Sequence, residues 1–124
     1  MTVPILKQGD YLIASIQSAL TDTDLRQLQD ELVVQVSRVR ARGVIVDETV
    51  LDVMDSFATR VLRAIAYMTK LCGAQTVIVG IQPEVAYAMV QLGLLLEGVA
   101  TALDLEEGLA LLDRRTQGTR HYGV

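Results

Sequence analysis

Val44-Ile45-Val46-Asp47-Glu48-Thr49-Val50-Leu51-Asp52-Val53-Met54-Asp55-Ser56-Phe57 is the stretch whose reading decides the fold. Val44 to Asp47 is short, β-branched and apolar, the pattern of a strand buried on both faces. A short acidic loop with Asp52 follows, and an amphipathic helix begins near Ser56. That helix carries Phe57, Val61, Ile65 and Met68 on one stripe and ends at Cys72-Gly73. A serine in the first turn of a helix is either a cap or a phosphate acceptor. Both readings have one cause: free backbone N–H groups at a helix start welcome oxygen atoms and negative charge.

Outward from this centre the pattern alternates. Val3 to Leu6 and Tyr11 to Ile16 read as strands joined by Gln8-Gly9-Asp10, so they are expected to form a hairpin with Leu12, Ala14 and Ile16 on one face. Thr21-Asp22-Thr23-Asp24 opens a helix, with Thr21 and Asp24 in capping-box spacing. Leu25, Leu28, Leu32, Val36 and Val39 form its apolar stripe, and Gly43 is the expected stop. Thr76 to Val79 reads as another buried strand. Pro83 suits the first turn of a helix whose core face is Val85, Met89 and Leu92 and which Gly93 ends. Val99 to Ala102 is a last short strand, and Asp104 caps a final helix carrying Leu105, Leu109 and Leu112. The expected fold is α/β: an N-terminal β-hairpin, then alternating strands and about four helices, in a mixed, mostly parallel sheet. Residues 1–116 form one domain, and the polar, glycine-punctuated residues 117–124 are expected to be a flexible tail.

Composition narrows the function classes. The chain has 124 residues, 51% of them hydrophobic, with one Phe and no Trp, so aliphatic side chains must build a single core. The formal net charge of -4 argues against a nucleic-acid partner. Arg38, Arg40, Arg42, Arg114 and Arg115 lie near expected helix ends, where they complement the helix dipole. Cys72 stands alone, so no internal disulfide forms, which suits a reducing cytoplasm. No secretory signal and no apolar stretch long enough to span a bilayer is visible, so no membrane partner is expected.

Most enzyme chemistries fail by inventory. The only histidine is His121, in the expected tail, so a Ser-His-Asp triad has no base. Met54 and Ala58 occupy the positions that glycines hold in a nucleophile elbow. No Walker loop and no Gly-x-Gly-x-x-Gly run follows any strand. Asp47, Asp52 and Asp55 are the carboxylates that Mg²⁺ would use, but loop polarity and helix-start electrostatics are their ordinary role. No metal and no cofactor is expected.

With these residues laid out, the chain resembles the STAS domain, the fold of bacterial anti-sigma-factor antagonists. The resemblance covers residues 3 to 115. It centres on the apolar strand ending in Asp47, on Met54-Asp55-Ser56-Phe57, and on Gly80-Ile81-Gln82-Pro83-Glu84-Val85-Ala86. Simpler antagonists carry a second Ser and a Gly after the phosphorylated serine. Phe57 and Ala58 stand there instead, which favours the stressosome branch and its short, RsbS-type scaffolds. The resemblance implies a non-enzymatic scaffold that self-assembles into a large complex with STAS-containing sensor paralogues (RsbR-like). It implies that the complex holds a serine/threonine switch kinase (RsbT-like) and that a phosphatase resets it. By the same analogy Ser56 is the phosphoacceptor, and Asp47, Asp52, Asp55 and Phe57 form its surroundings and the recognition surface. Thr21 and Thr23 are weaker candidate acceptors, since both also make good caps. The alternative is a small-ligand or nucleotide-binding STAS module, for which no basic phosphate cradle is visible.

Overall fold

Alternation of buried side chains along three adjacent strands organises the molecule into layers. The computed structural model describes residues 3–51 and 54–122, with side-chain surroundings through Thr116. Five strands, β1 (Ile5–Gln8), β2 (Tyr11–Ser15), β3 (Gly43–Asp47), β4 (Gln75–Val79) and β5 (Ala100–Ala102), form one sheet in chain order. β1 pairs antiparallel with β2, and the other three pairings are parallel. Leu12, Ala14, Val44, Val46 and Ile78 face one side, against α1 (Asp22–Val39), α2 (Ser56–Leu71) and α3 (Pro83–Gln91). Ile13, Ile45, Val77 and Val79 face the other side, which Leu112 of α4 (Leu105–Tyr122) covers. β3 and β4 are therefore apolar on both faces because helices lie on both.

The hairpin turn is tighter than the sequence suggests. Register runs from Ile5↔Ala14 to Gln8↔Tyr11, leaving Gly9-Asp10 as a two-residue turn with Gly9 at φ +59°. The first strand is thus Ile5–Gln8 and not Val3 to Leu6. At the start of α1, Thr21 Oγ1 accepts from Asp24 N–H at 3.1 Å, and Asp24 Oδ2 accepts from Thr21 N–H at 3.0 Å. This reciprocal box satisfies two donors that the helix leaves free. Asp104 accepts from Glu107 N–H at 2.9 Å at the start of α4.

Further expectations need correction. Gly43 is not the stop of α1. That role falls to Arg40 in the left-handed region (φ 53°), whose N–H reaches Val36 O. Gly43 instead opens β3, where a Cβ would stand 2.8 Å from the Leu112 side chain. Its small size admits α4. Arg42 does not serve the end of α1 either: its guanidinium donates to Thr116 O at 2.8 Å, tying the sheet to α4. The buried face of α2 is Thr59, Val61, Leu62, Ile65 and Thr69, so Phe57 and Met68 lie at its margins. Thr69 fits a dry position because its hydroxyl donates to Ile65 O at 2.8 Å and lies 2.7 Å from Thr76 Oγ1. Leu92 is 70% exposed, because α3 ends at Gln91; Leu94 and Leu96 pack against the core in its stead. At the C-terminal end, polar composition points to a tail from Gln117, whereas the bounds of α4 extend to Tyr122.

The loops after β3 and β4 lock together beside the site described below. Glu48 N–H donates to Val79 O at 2.9 Å, and Gln82 Nε2 donates to Thr49 O at 2.7 Å. Gly80 adopts φ +83°, and a Cβ there would lie 2.2 Å from Thr49 Oγ1 and 2.8 Å from Thr49 N. A side chain at Gly80 meets both a strained backbone and a backbone neighbour. Gly80→Ala is expected to destabilise the fold by roughly 1–3 kcal/mol, read as a lowered urea midpoint in circular dichroism.

Candidate functional site

The C-terminal end of β3 and the first turn of α2 bring together the residues singled out in the sequence. Asp47 closes an Asx turn: its Oδ1 accepts from Thr49 N–H at 3.0 Å and from the Thr49 hydroxyl at 2.6 Å. Asp55 is extended (φ -90°, ψ -178°) and is the N-cap of α2, accepting from Ala58 N–H at 2.8 Å. Its carbonyl takes the Thr59 hydroxyl at 2.9 Å. Each carboxylate already has a local task. Asp52 lies outside the described residues.

Ser56 is the first helical residue of α2, and it is exposed. It is not the cap. A cap needs extended backbone, and the extended residue is Asp55, one position earlier. Among the described residues the Ser56 hydroxyl takes part in no hydrogen bond. An unengaged hydroxyl therefore stands at the positive end of a sixteen-residue helix dipole.

Phe57 is half-buried against the core. The Arg26 guanidinium, from α1, lies 5.5 Å from its ring centroid, and that of Arg60, from α2, lies 6.0 Å away. Sequence reading missed both arginines. Arg60 follows Ser56 by one helical turn, so spacing could have found it. Arg26 is brought in only by the packing of α1 on α2. The threonines near the start of α1 differ in availability: Thr21 is committed to the capping box, and Thr23 is exposed in the first turn.

Glu48 sits between these features. It continues β3 by one residue, is 2% exposed, and neither carboxyl oxygen has a hydrogen-bond partner among the described residues. Burial pushes its carboxyl up to about 8, and the adjacent Asp47 charge adds to the rise. Glu48 is therefore protonated in the fold at neutral pH. In the unfolded chain a glutamate ionises near ~4.3. Between those values the unfolded state has lost the proton and the native state has kept it, so stability falls as pH rises. The loss is up to about 1.4 kcal/mol per pH unit and levels off above the folded-state value. Glu48→Gln is expected to remove that slope. Its stability advantage over the parent, from urea unfolding, should be small near pH 4, grow to about pH 8, and then stay constant. A difference that does not vary with pH would contradict a buried, protonated Glu48.

Comparison with known proteins bears on what such a site does. The STAS domain family model matches residues 2–108. The structure superposes on a serine-to-glutamate variant of RsbS from Moorella thermoacetica with a TM-score of 0.80 and 39% identity, covering 93% of this chain and 97% of that one. It superposes on a chain of the stressosome, described as a signal integration and transduction hub, with a TM-score of 0.77 and 40% identity, covering 91% of this chain and 98% of that one. In sequence it is 29% identical over 110 residues to the RsbT co-antagonist protein RsbRA of Bacillus subtilis (strain 168). That match takes in 88% of this chain and 40% of RsbRA, so the chain spans well under half the length of the curated relatives it matches. The five-stranded mixed sheet, the Asp55-capped helix with Ser56 at its head, and the match over nearly the whole chain establish that this protein belongs to the STAS domain family.

Proposed function

We propose that this chain is a non-enzymatic scaffold and phosphorylation switch in a stressosome-type complex. In this reading it assembles with longer STAS-containing sensor paralogues and sequesters a serine/threonine kinase of the RsbT type. Phosphorylation of Ser56 releases the kinase to a downstream stress response, and a phosphatase resets the scaffold. The observation that carries the reading is the exposed Ser56 hydroxyl, left free because Asp55 does the capping. Similarity to RsbS and to a stressosome chain supports the assembly, and similarity to two RsbT co-antagonist proteins supports the kinase as partner. Ser56 is favoured over Thr21, whose hydroxyl is already engaged, and over Thr23, also exposed in a first turn, on the resemblance of Asp55-Ser56 to the family's acceptor site.

Phosphate adds about -1.5 to -2 charges at neutral pH. The helix start favours that charge by roughly 0.3–1 kcal/mol, whereas the neighbouring carboxylates Asp47 and Asp55 oppose it. The fold gains little, so the effect falls on whatever docks there. A partner surface fitted to a neutral hydroxyl meets a dianion, and each ~1.4 kcal/mol of repulsion or desolvation costs it a tenfold loss of affinity.

Incubation with the switch kinase and Mg-ATP, followed by peptide mapping by mass spectrometry, tests the acceptor. Phosphate is expected on Ser56 and absent from that position's peptide in Ser56→Ala. Ser56→Asp should bind the kinase at least about tenfold more weakly than the parent. An active kinase that leaves Ser56 unmodified would sink the switch reading and leave a passive scaffold.

A further inference from the structure

We propose that Arg60 and Arg26 form a phosphate-binding pair for the modified side chain of Ser56. This rests on Ser56 being the acceptor and adds the groups that receive its charge. Arg60 lies four residues after Ser56 on α2, and residues so spaced are surface neighbours, with Cβ atoms about 5–6 Å apart. Arg26 comes from α1 and lies over the ring of Phe57, the residue that follows Ser56. The two guanidinium carbons stand 5.5 and 6.0 Å from the centre of one ring, that of Phe57, the residue next to Ser56.

The unmodified arrangement is a compromise. Two like charges share one aromatic ring, whose quadrupole holds each only weakly at an exposed site. Among the described residues neither arginine has an ion-pair partner. Both line a shallow groove between α1 and α2 with Phe57, Gln29, Val61 and Ala64. Asp22 and Asp55 line a separate cleft with Leu25 and Ala58 and oppose an added anion. A phosphate on Ser56 offers the guanidiniums charge-assisted hydrogen bonds, which are stronger than their contacts with the ring. The arginines move from ring to phosphate. Modification thereby removes two cations from the surface and bares the Phe57 ring, so a docking partner meets a different face even though the backbone is unchanged.

The test places phosphoserine at position 56 during translation, so no kinase is needed, and follows its titration by phosphorus NMR in the full chain. The second phosphate pKa is expected below the value of about 6 for the free group. Arg60→Gln should raise it by roughly half a unit, about a threefold change in proton affinity, and Arg26→Gln should raise it in the same direction. Arg115→Gln, an exposed change on α4, should leave it where the parent has it. Phe57 ring resonances should shift on phosphorylation in the parent and stay in place in the double arginine variant. The same titration midpoint in the parent and both arginine variants would overturn the pair while leaving Ser56 open as an acceptor. A kinase that ignores Ser56 would defeat the acceptor reading without altering this titration.

Discussion

The fold depends on burying β3 on both faces. Val44 and Val46 must find one apolar layer, and Ile45 another. Parallel pairing on both edges of β3, with β2 and β4, leaves the connections no route except helical crossovers. α1 and α2 take the first face with α3, and α4 closes the second. Gly43 and Gly108 are part of this constraint. A Cβ at either would collide with the opposing layer, at 2.8 Å from Leu112 and 2.7 Å from Val79. Among the described residues α4 alone covers the second face, so its approach must be close for so thin a layer to exclude water.

The same constraint positions the site. A buried strand has to surrender its last carbonyls and amides to something, and β3 does so through the loops after β3 and β4. Asp47 O accepts from Ile16 N–H, the next amides, Glu48 and Thr49, donate to Val79 O and the Asp47 carboxylate, Gln82 donates to Thr49 O, and Asp55 takes a free amide of α2. Among the described residues no hydrogen bond claims the Ser56 hydroxyl. Glu48 is the exception within this economy of partners: it is buried, yet its carboxyl has none among the described residues. The fold accommodates it by keeping it neutral, which ties the loop before α2 to the protonation of a single group.

Charge around Ser56 is divided. Asp22 and the helix cap Asp55 line one cleft, and the two arginines line a separate α1–α2 groove. An exposed serine flanked by Asp55 of the one and Phe57 of the other is electrically sensitive: a small change in charge there redistributes contacts that are each weak. Membership of the STAS domain family and the likeness to stressosome chains give that sensitivity a setting in signalling.

Element order, the hairpin, the parallel centre and the helix stripes were legible in the sequence. Local periodicity and turn chemistry act over a few residues, and Asp55-Ser56 at a helix start could be read in the same way. Other features were decided only by tertiary structure. Whether Asp55 or Ser56 caps α2 turns on the backbone angle of one residue. The burial of Glu48 depends on how the loops close over the strand end. Arg42 reaching Thr116, and Arg26 reaching Phe57, join residues distant in the chain. Leu92, which periodicity places in the core, is exposed because its helix ends one residue earlier. Sequence determines what each segment prefers alone, because those preferences are local. Packing determines which of several equally suitable oxygens, glycines and arginines is used, because that choice depends on the distances between segments.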